Sequence, residues 1–256
     1  MDRGTWLGLL LGLALLGVAI SLGPSARIFF HPPSMIVVIG GLIASLFIRF
    51  PFGDVVKAFH VASGAFFHQA KDPQEVVRLL VGLSQRAKRE GSKNLERAVV
   101  DDPFLERGIR MVVDRIEREH IEDALAREIQ ATQERHMAGQ EIFRFIATAA
   151  PSFGMVGTLI GMVQLFASIK DPSSVGGAMA LSLLSTLYGA VIAYLIAIPI
   201  AGKLELRSRE ELTNKRLMLE GIMGIQGEQN PTLLESQLNS FLAPAKKVRL
   251  HAASAG

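Results

Sequence analysis

The chain has 256 residues, 49% of them hydrophobic and 20% charged, with a formal net charge of +3 and no cysteine. The charges are segregated: stretches 4–26, 28–48, 145–169 and 172–202 hold no Lys, Arg, Asp or Glu, and a bilayer core takes about 20 apolar residues as helix. This excludes a purely soluble globular domain, and the lack of cysteine excludes a disulfide scaffold, a thiolate nucleophile, Cys-ligated zinc and an iron–sulfur cluster.

The first apolar run follows Met1-Asp2-Arg3. It is longer than a signal-peptide core and a second run follows almost directly, so it is expected to be a retained membrane helix. Gly23-Pro24-Ser25 through His31-Pro32-Pro33 predicts a tight turn between the two. Beyond them, Asp72-Pro73 with Glu75 predicts a capped helix start. Val76, Val77, Leu79, Leu80, Leu83 and Ala87 then share one face, and Gly91 ends the helix. Asp102-Pro103 starts another, with Leu105, Ile109, Val112, Val113 and Ile116 toward a core. A third helix is predicted from about Glu122, through Phe143, into the third apolar run. The fourth run is expected to continue as helix through 204–223. Such helices would couple a membrane part mechanically to a cytoplasmic part; the alternative is a compact helical domain that serves assembly only.

The expected fold is therefore all-α: a polytopic membrane protein with four transmembrane helices, about 5–22, 33–49, 147–169 and 178–200, and a helical cytoplasmic domain. The expected parts are 1–49 (two spans and a short periplasmic loop), 50–146 (cytoplasmic helical domain), 147–202 (two spans lining an ion path) and 203–256 (cytoplasmic helical tail). Loop 23–32 carries only Arg27, and loop 170–177 only Lys170 and Asp171. Arg49, Lys57, Arg144, Lys203 and Arg207 flank the spans from the other side, which predicts cytoplasmic termini and a cytoplasmic middle region.

The third and fourth runs carry the chemistry. Gly154, Gly157, Thr158 and Gly161 recur at helical spacing, as do Ala178, Ser182, Ser185, Thr186, Gly189 and Ala193. Small faces let membrane helices approach closely, and hydroxyls bond across them. Beyond plain packing, Thr158, Ser185 and Thr186 can line an ion path, because hard cations take hydroxyl and carbonyl oxygens. Pro151 and Pro199 each remove a backbone donor inside a span. No apolar run holds a carboxylate, so if the chain moves ions the titratable carboxylate is expected from another subunit. The six histidines (His31, His60, His68, His120, His136 and His251) lack metal-ligand spacing, and no phosphate loop or nucleophile elbow occurs. An enzyme is not expected. Lys and Arg total 27 against 24 Asp and Glu, with no aromatic-interleaved basic patch, so no nucleic acid is expected either. Lys88, Arg89, Glu90, Lys93, Glu96 and Arg97 form a mixed-charge cluster, either a solvated helix end or a docking face.

Several stretches together resemble the MotA/PomA stator family of the bacterial flagellar motor. They are Met1-Asp2 with Thr5 and Leu7-Gly8-Leu9; Val38-Ile39-Gly40-Gly41; Ala150-Pro151-Ser152-Phe153-Gly154-Met155-Val156-Gly157-Thr158-Leu159-Ile160-Gly161; Leu184-Ser185-Thr186-Leu187-Tyr188-Gly189-Ala190; Pro199-Ile200-Ala201; Glu220-Gly221-Ile222; and 226–231. The resemblance implies a homopentamer around a dimer of a MotB/PomB-type subunit (5:2) in the bacterial inner membrane. That partner's membrane aspartate carries the ion, no cofactor is needed, and the rotor protein FliG is turned by charged contacts.

It implies an ion path near Pro151, Thr158, Ser185, Thr186 and Pro199, with Thr158 and Thr186 as transient sodium ligands, and Gly154 and Ser182 on the same small-residue faces are expected to line it. Lys88 and Glu96 match the family's rotor-facing positions, and Arg89 in the same charged cluster is expected to face the rotor with them. His31 stands where sodium-type members have Asp. Thr158 and Thr186 match hydroxyl positions of sodium-driven members, which favours Na+ as the transported ion over H+. The alternatives are a proton-driven stator, an ExbB/TolQ-like energiser and a non-conducting membrane scaffold.

Overall fold

A computed structural model of the chain describes residues 3–23, 25–67, 71–97, 100–170 and 172–242, and every regular element among them is helical. In order these are α1 (Arg3–Ser21), a 3-10 turn (Ala26–Phe29), α2 (Pro32–Met35), a π segment (Ile36–Gly40), α3 (Gly41–Arg49), α4 (Phe52–Phe67), α5 (Pro73–Glu90), a second 3-10 helix (Ser92–Arg97), α6 (Pro103–Val113), α7 (Arg118–Ala167), α8 (Pro172–Ala190), a second π segment (Val191–Ala197), α9 (Ile198–Gln226) and α10 (Pro231–Asn239). Among the described residues three continuous helical stretches are long and apolar enough to cross a membrane, Ala26–Arg49, Arg118–Ala167 and Val175–Gln226; a shorter apolar stretch is Leu10–Ser21. Met1, Asp2, Pro24, His68, Asp171 and the tail 243–256 lie outside the described residues, as does the side chain of Arg97.

The chain divides into two compact units, Met1–Gln69 with His136–Leu206, and Ala70–Arg135 with Arg207–Gly256. In the first, Leu42 and Leu46 of α3, Val55, Ala58 and Ala62 of α4, Ile142, Phe143, Ile146 and Ala150 of α7, and Ala201 and Leu204 of α9 form one buried cluster. Phe59 stands edge-on to Phe143 with centroids 5.1 Å apart. Arg49, in the last turn of α3, where a cation complements the helix dipole, lies 4.9 Å from the Phe145 ring centroid and 2.7 Å from Glu141. Pro199 explains the second π segment: it lacks an N–H and its ring presses on the carbonyl four residues back, and the wider π turn just before it accommodates both effects.

In the second unit three helices begin alike, with an Asx side chain accepting from the first turn and proline at the first helical position. Asp72 Oδ1 accepts from the Gln74 amide at 3.2 Å, and Asp102 Oδ1 from Phe104 and Leu105 at 3.0 and 3.1 Å. Asn230 Oδ1 accepts from Thr232 at 3.0 Å. Gly91 ends α5 at φ +85°, a conformation that favours glycine. Val77, Leu80, Leu105, Ile121, Leu125, Leu217, Ile222, Leu234 and Leu238 fill the core.

Leu79 and Ile116 are not in it; they are 37% and 38% exposed. Leu79 is rotated about 100° from Leu80, at the edge of the stripe. Ile116 follows the end of α6, where helical spacing no longer applies. The third predicted helix begins at Arg118 rather than Glu122, and α4, α10 and both π segments are additions to the predicted set.

Candidate functional site

The site lies where α7 and α8 meet. Two glycines of α7, Gly157 and Gly161, leave no room for a β-carbon, and a third, Gly154, leaves very little. One built on Gly157 would fall on Oγ and Cβ of Ser185, and one on Gly161 would meet Ser182 Oγ and, at 2.7 Å, the Ala178 carbonyl. On Gly154 it would come within 3.0 Å of the Ser185 carbonyl. Gly189 repeats this from the α8 side, its added β-carbon lying 2.6 Å from the Ala150 carbonyl and 3.1 Å from Pro151 Cα. Backbone thus approaches backbone, as small-residue membrane faces permit.

The close approach brings hydroxyls of the two helices together. Thr158 Oγ1 lies 2.6 Å from Thr186 Oγ1 and 3.1 Å from the carbonyls of both Gly154 and Ser182. Ser182 Oγ donates to Thr158 O and Ala178 O, each at 3.2 Å. Thr186 Oγ1 is 3.4 Å from Ser182 O. Each hydroxyl has one proton and two lone pairs, so the two threonines share two protons among themselves and these carbonyls. Three hydroxyl oxygens (Thr158, Ser182 and Thr186) and four carbonyl oxygens (Gly154, Thr158, Ala178 and Ser182) take part in these bonds along the seam. That is the donor set a hard cation takes.

Thr158 is half-buried and Thr186 exposed, whereas Ser185 is fully buried and donates to the Leu181 carbonyl at 2.7 Å. Pro151 is half-buried opposite Gly189; Pro199 is exposed at the second position of α9, directly after the π segment. Gly154, Thr158, Ser182 and Thr186 therefore share one hydrogen-bonded group, with Ser185 packed beneath it and Pro151 one turn away. No group of three or more His, Asp or Glu that could hold a metal occurs among the described residues.

In the second unit Lys88 and Arg89 close α5, which favours cations. Both are exposed, as is Glu96 in the following 3-10 helix. Arg86 pairs with Glu90 at 3.1 Å, but Lys88, Arg89 and Glu96 form no ion pair among the described residues. With Gln85, Asn230 and Pro231, the two cations line a cleft of about 180 Å³. The contribution of α10 to this cleft was not legible in the sequence, although Asn230-Pro231 repeats the Asx-Pro start of α5 and α6.

The profile of the MotA/TolQ/ExbB proton channel family matches residues 96–216. The chemotaxis protein PomA of Vibrio alginolyticus is 36% identical over 247 residues, covering 96% of this chain and 98% of that one. The chain belongs to the MotA/TolQ/ExbB proton channel family. Another relative in that family, motility protein A of Treponema phagedenis, is 34% identical over 254 residues, 98% of each chain. The flagellar MotAB stator complex from Bacillus subtilis superposes with a TM-score of 0.85 at 29% identity, covering 97% of this chain and all of that one. The Campylobacter jejuni MotAB structure shares the fold with the same TM-score at 22% identity. Membership makes the chain an ion-channel-family membrane protein, not an enzyme.

Proposed function

We propose that the chain is a stator subunit of a bacterial flagellar motor that, with a MotB/PomB-type partner, converts ion flow into rotation of the rotor, with sodium as the transported ion. The observation that carries this reading is the Thr158–Thr186 hydroxyl pair, 2.6 Å apart at a glycine-lined seam and surrounded by carbonyl oxygens. A cation shedding water can exchange its ligands for these oxygens, and the carboxylate that neutralises it comes from the partner's membrane helix. The relationship to PomA and to the MotAB complex supports the same assembly. In this reading α1, α2–α3, the apolar half of α7 and α8–α9 span the inner membrane four times. The termini and residues 50–146 are cytoplasmic, 147–202 line the path, and five copies enclose two partner chains.

An elementary charge falling through 100 mV releases about 2.3 kcal/mol, enough to drive rotation when many ions pass. Lys88, Arg89 and Glu96 would meet complementary charges of the rotor protein FliG; that they are exposed and make no ion pair among the described residues supports this. Proton drive remains the competing reading on one observation: the two threonine hydroxyls already bond each other, as links of a proton-conducting chain do. Single-motor rotation in a stator-less host expressing this chain with its partner separates the two. Speed that rises and saturates with sodium at fixed pH is the expected result. Speed indifferent to sodium but following the proton-motive force overturns the sodium assignment.

A further inference from the structure

The turn between α1 and α2 is tied to α8 by one phenol. Tyr188 OH donates to the Phe29 carbonyl at 2.6 Å and accepts from the His31 amide at 3.1 Å. A phenol has one proton and free lone pairs, so both bonds are made at once. A second tether lies beside it. Ser34, fully buried, has its hydroxyl 3.3 Å from the Leu181 carbonyl of α8, the same carbonyl that accepts from Ser185. His31 caps α2 from this turn, with Nδ1 2.8 Å from Ser34 Oγ.

Tyr188 follows Thr186 by two residues. In a helix that is about 200° of rotation, so the two side chains leave opposite sides of α8. One side of α8 is gripped by α7, through Thr186–Thr158 and the Gly189–Ala150 contact. The other side is gripped by the 29–31 turn through Tyr188. Gripped on one side only, α8 could roll about its axis; gripped on both, it is held at one angle.

We propose that Tyr188 is a positioning residue of the ion path: its phenol latches α8 to the turn at Phe29–His31 and so fixes the angle at which Thr186 meets Thr158. This rests on the α7–α8 seam being the path. The Tyr188→Phe substitution keeps the ring and removes both bonds. It is tested in the assembled complex with the partner, in a stator-less host, with speed measured against the driving cation, sodium at fixed pH or protons at fixed sodium.

The half-saturating cation concentration is expected to rise about 3- to 10-fold, with membrane levels of the complex and speed at saturation largely kept. Hydrogen exchange at the amides of Phe29, Phe30, His31 and Ser34 in the purified complex is expected to quicken at least tenfold. Ser34→Ala, which cuts the second tether, is expected to shift half-saturation in the same direction and stands in if Tyr188→Phe fails to assemble. Unchanged exchange would show that the phenol does not hold the turn. Faster exchange with unchanged half-saturation would show that the latch does not position the path. Either result overturns the proposal. Thr158→Val measured alongside separates the underlying reading: if it too leaves rotation unaltered, the seam is not the path and the positioning role falls with it.

Discussion

The hydroxyls of Thr158 and Thr186 stand 2.6 Å apart across α7 and α8, and each also faces a backbone carbonyl. Thr158→Val keeps the shape and removes one hydroxyl, leaving Thr186 with only the Ser182 carbonyl. A net hydrogen bond contributes about 1 kcal/mol, so the assembled complex should melt within a few degrees of wild type. Rotation at subsaturating sodium should fall at least tenfold, and Thr158→Phe, which fills the seam, should stop it. Motor speed against sodium, with complex levels followed by immunoblot, is the check. Undiminished speed with valine at both positions would favour a non-conducting scaffold.

Gly157→Ala sets a β-carbon against that of Ser185. Overpacking of this kind costs about 1–3 kcal/mol, and the thermal stability of the detergent-solubilised complex should drop accordingly. Ser185→Gly in the same chain should restore part of the loss. Gly139, also in α7, has nothing within 4 Å of its added β-carbon. Gly139→Ala should therefore raise stability by up to about 1 kcal/mol through helix propensity alone.

Lys88 and Arg89 are exposed and make no ion pair among the described residues, so Lys88→Glu should act on the unit's stability mainly through the α5 dipole, by no more than about 1 kcal/mol. Rotation should nevertheless be lost or strongly reduced, and a reversed charge on the rotor protein should restore it. Screening acts within about 10 Å at 0.1 M salt, so the residual contact should weaken as ionic strength rises. Binding of purified stator to rotor protein across a salt series is the measurement.

Leu80 is fully buried and its methyl groups lie 2.6 and 2.7 Å from where a β-carbon on Gly221 would stand. Leu80→Ala should cost about 2–5 kcal/mol and Gly221→Ala about 1–3 kcal/mol. Because the two fill one space, the double variant should be more stable than the sum of the single losses predicts. Urea unfolding monitored by circular dichroism of the complex would read this out.

What was legible in the sequence divides along physical lines. Asp72-Pro73 and Asp102-Pro103 marked helix starts because cap chemistry is local, and Gly91 marked an end because only its conformation was at stake. The small residues of α7 and α8 announced a close contact, since their spacing is itself helical geometry. The pairing of Thr158 with Thr186 depends on the register between two helices, which no single-chain periodicity encodes. Likewise Tyr188 stood in a quoted motif with no role, because its partners Phe29 and His31 lie more than 150 residues away. The second π segment was missed for a different reason: Pro199 signals a disturbed helix but not whether that helix kinks or widens. Leu79 shows the limit of the stripe argument, being apolar, adjacent to the core face and still more than a third exposed.

The seam between Gly157 and Ser185 has a consequence for how such a chain can vary over time. The pair of positions holds one β-carbon, and Ser185 occupies it. A mutation that enlarges position 157 is tolerated only beside one that empties position 185, whereas position 161 admits no such trade, because a β-carbon there would also meet the Ala178 carbonyl and the Ser182 amide nitrogen at 2.7 Å. Substitutions at 157 and 185 are therefore expected to be inherited in pairs, so that among descendants each position becomes informative only when its partner is known.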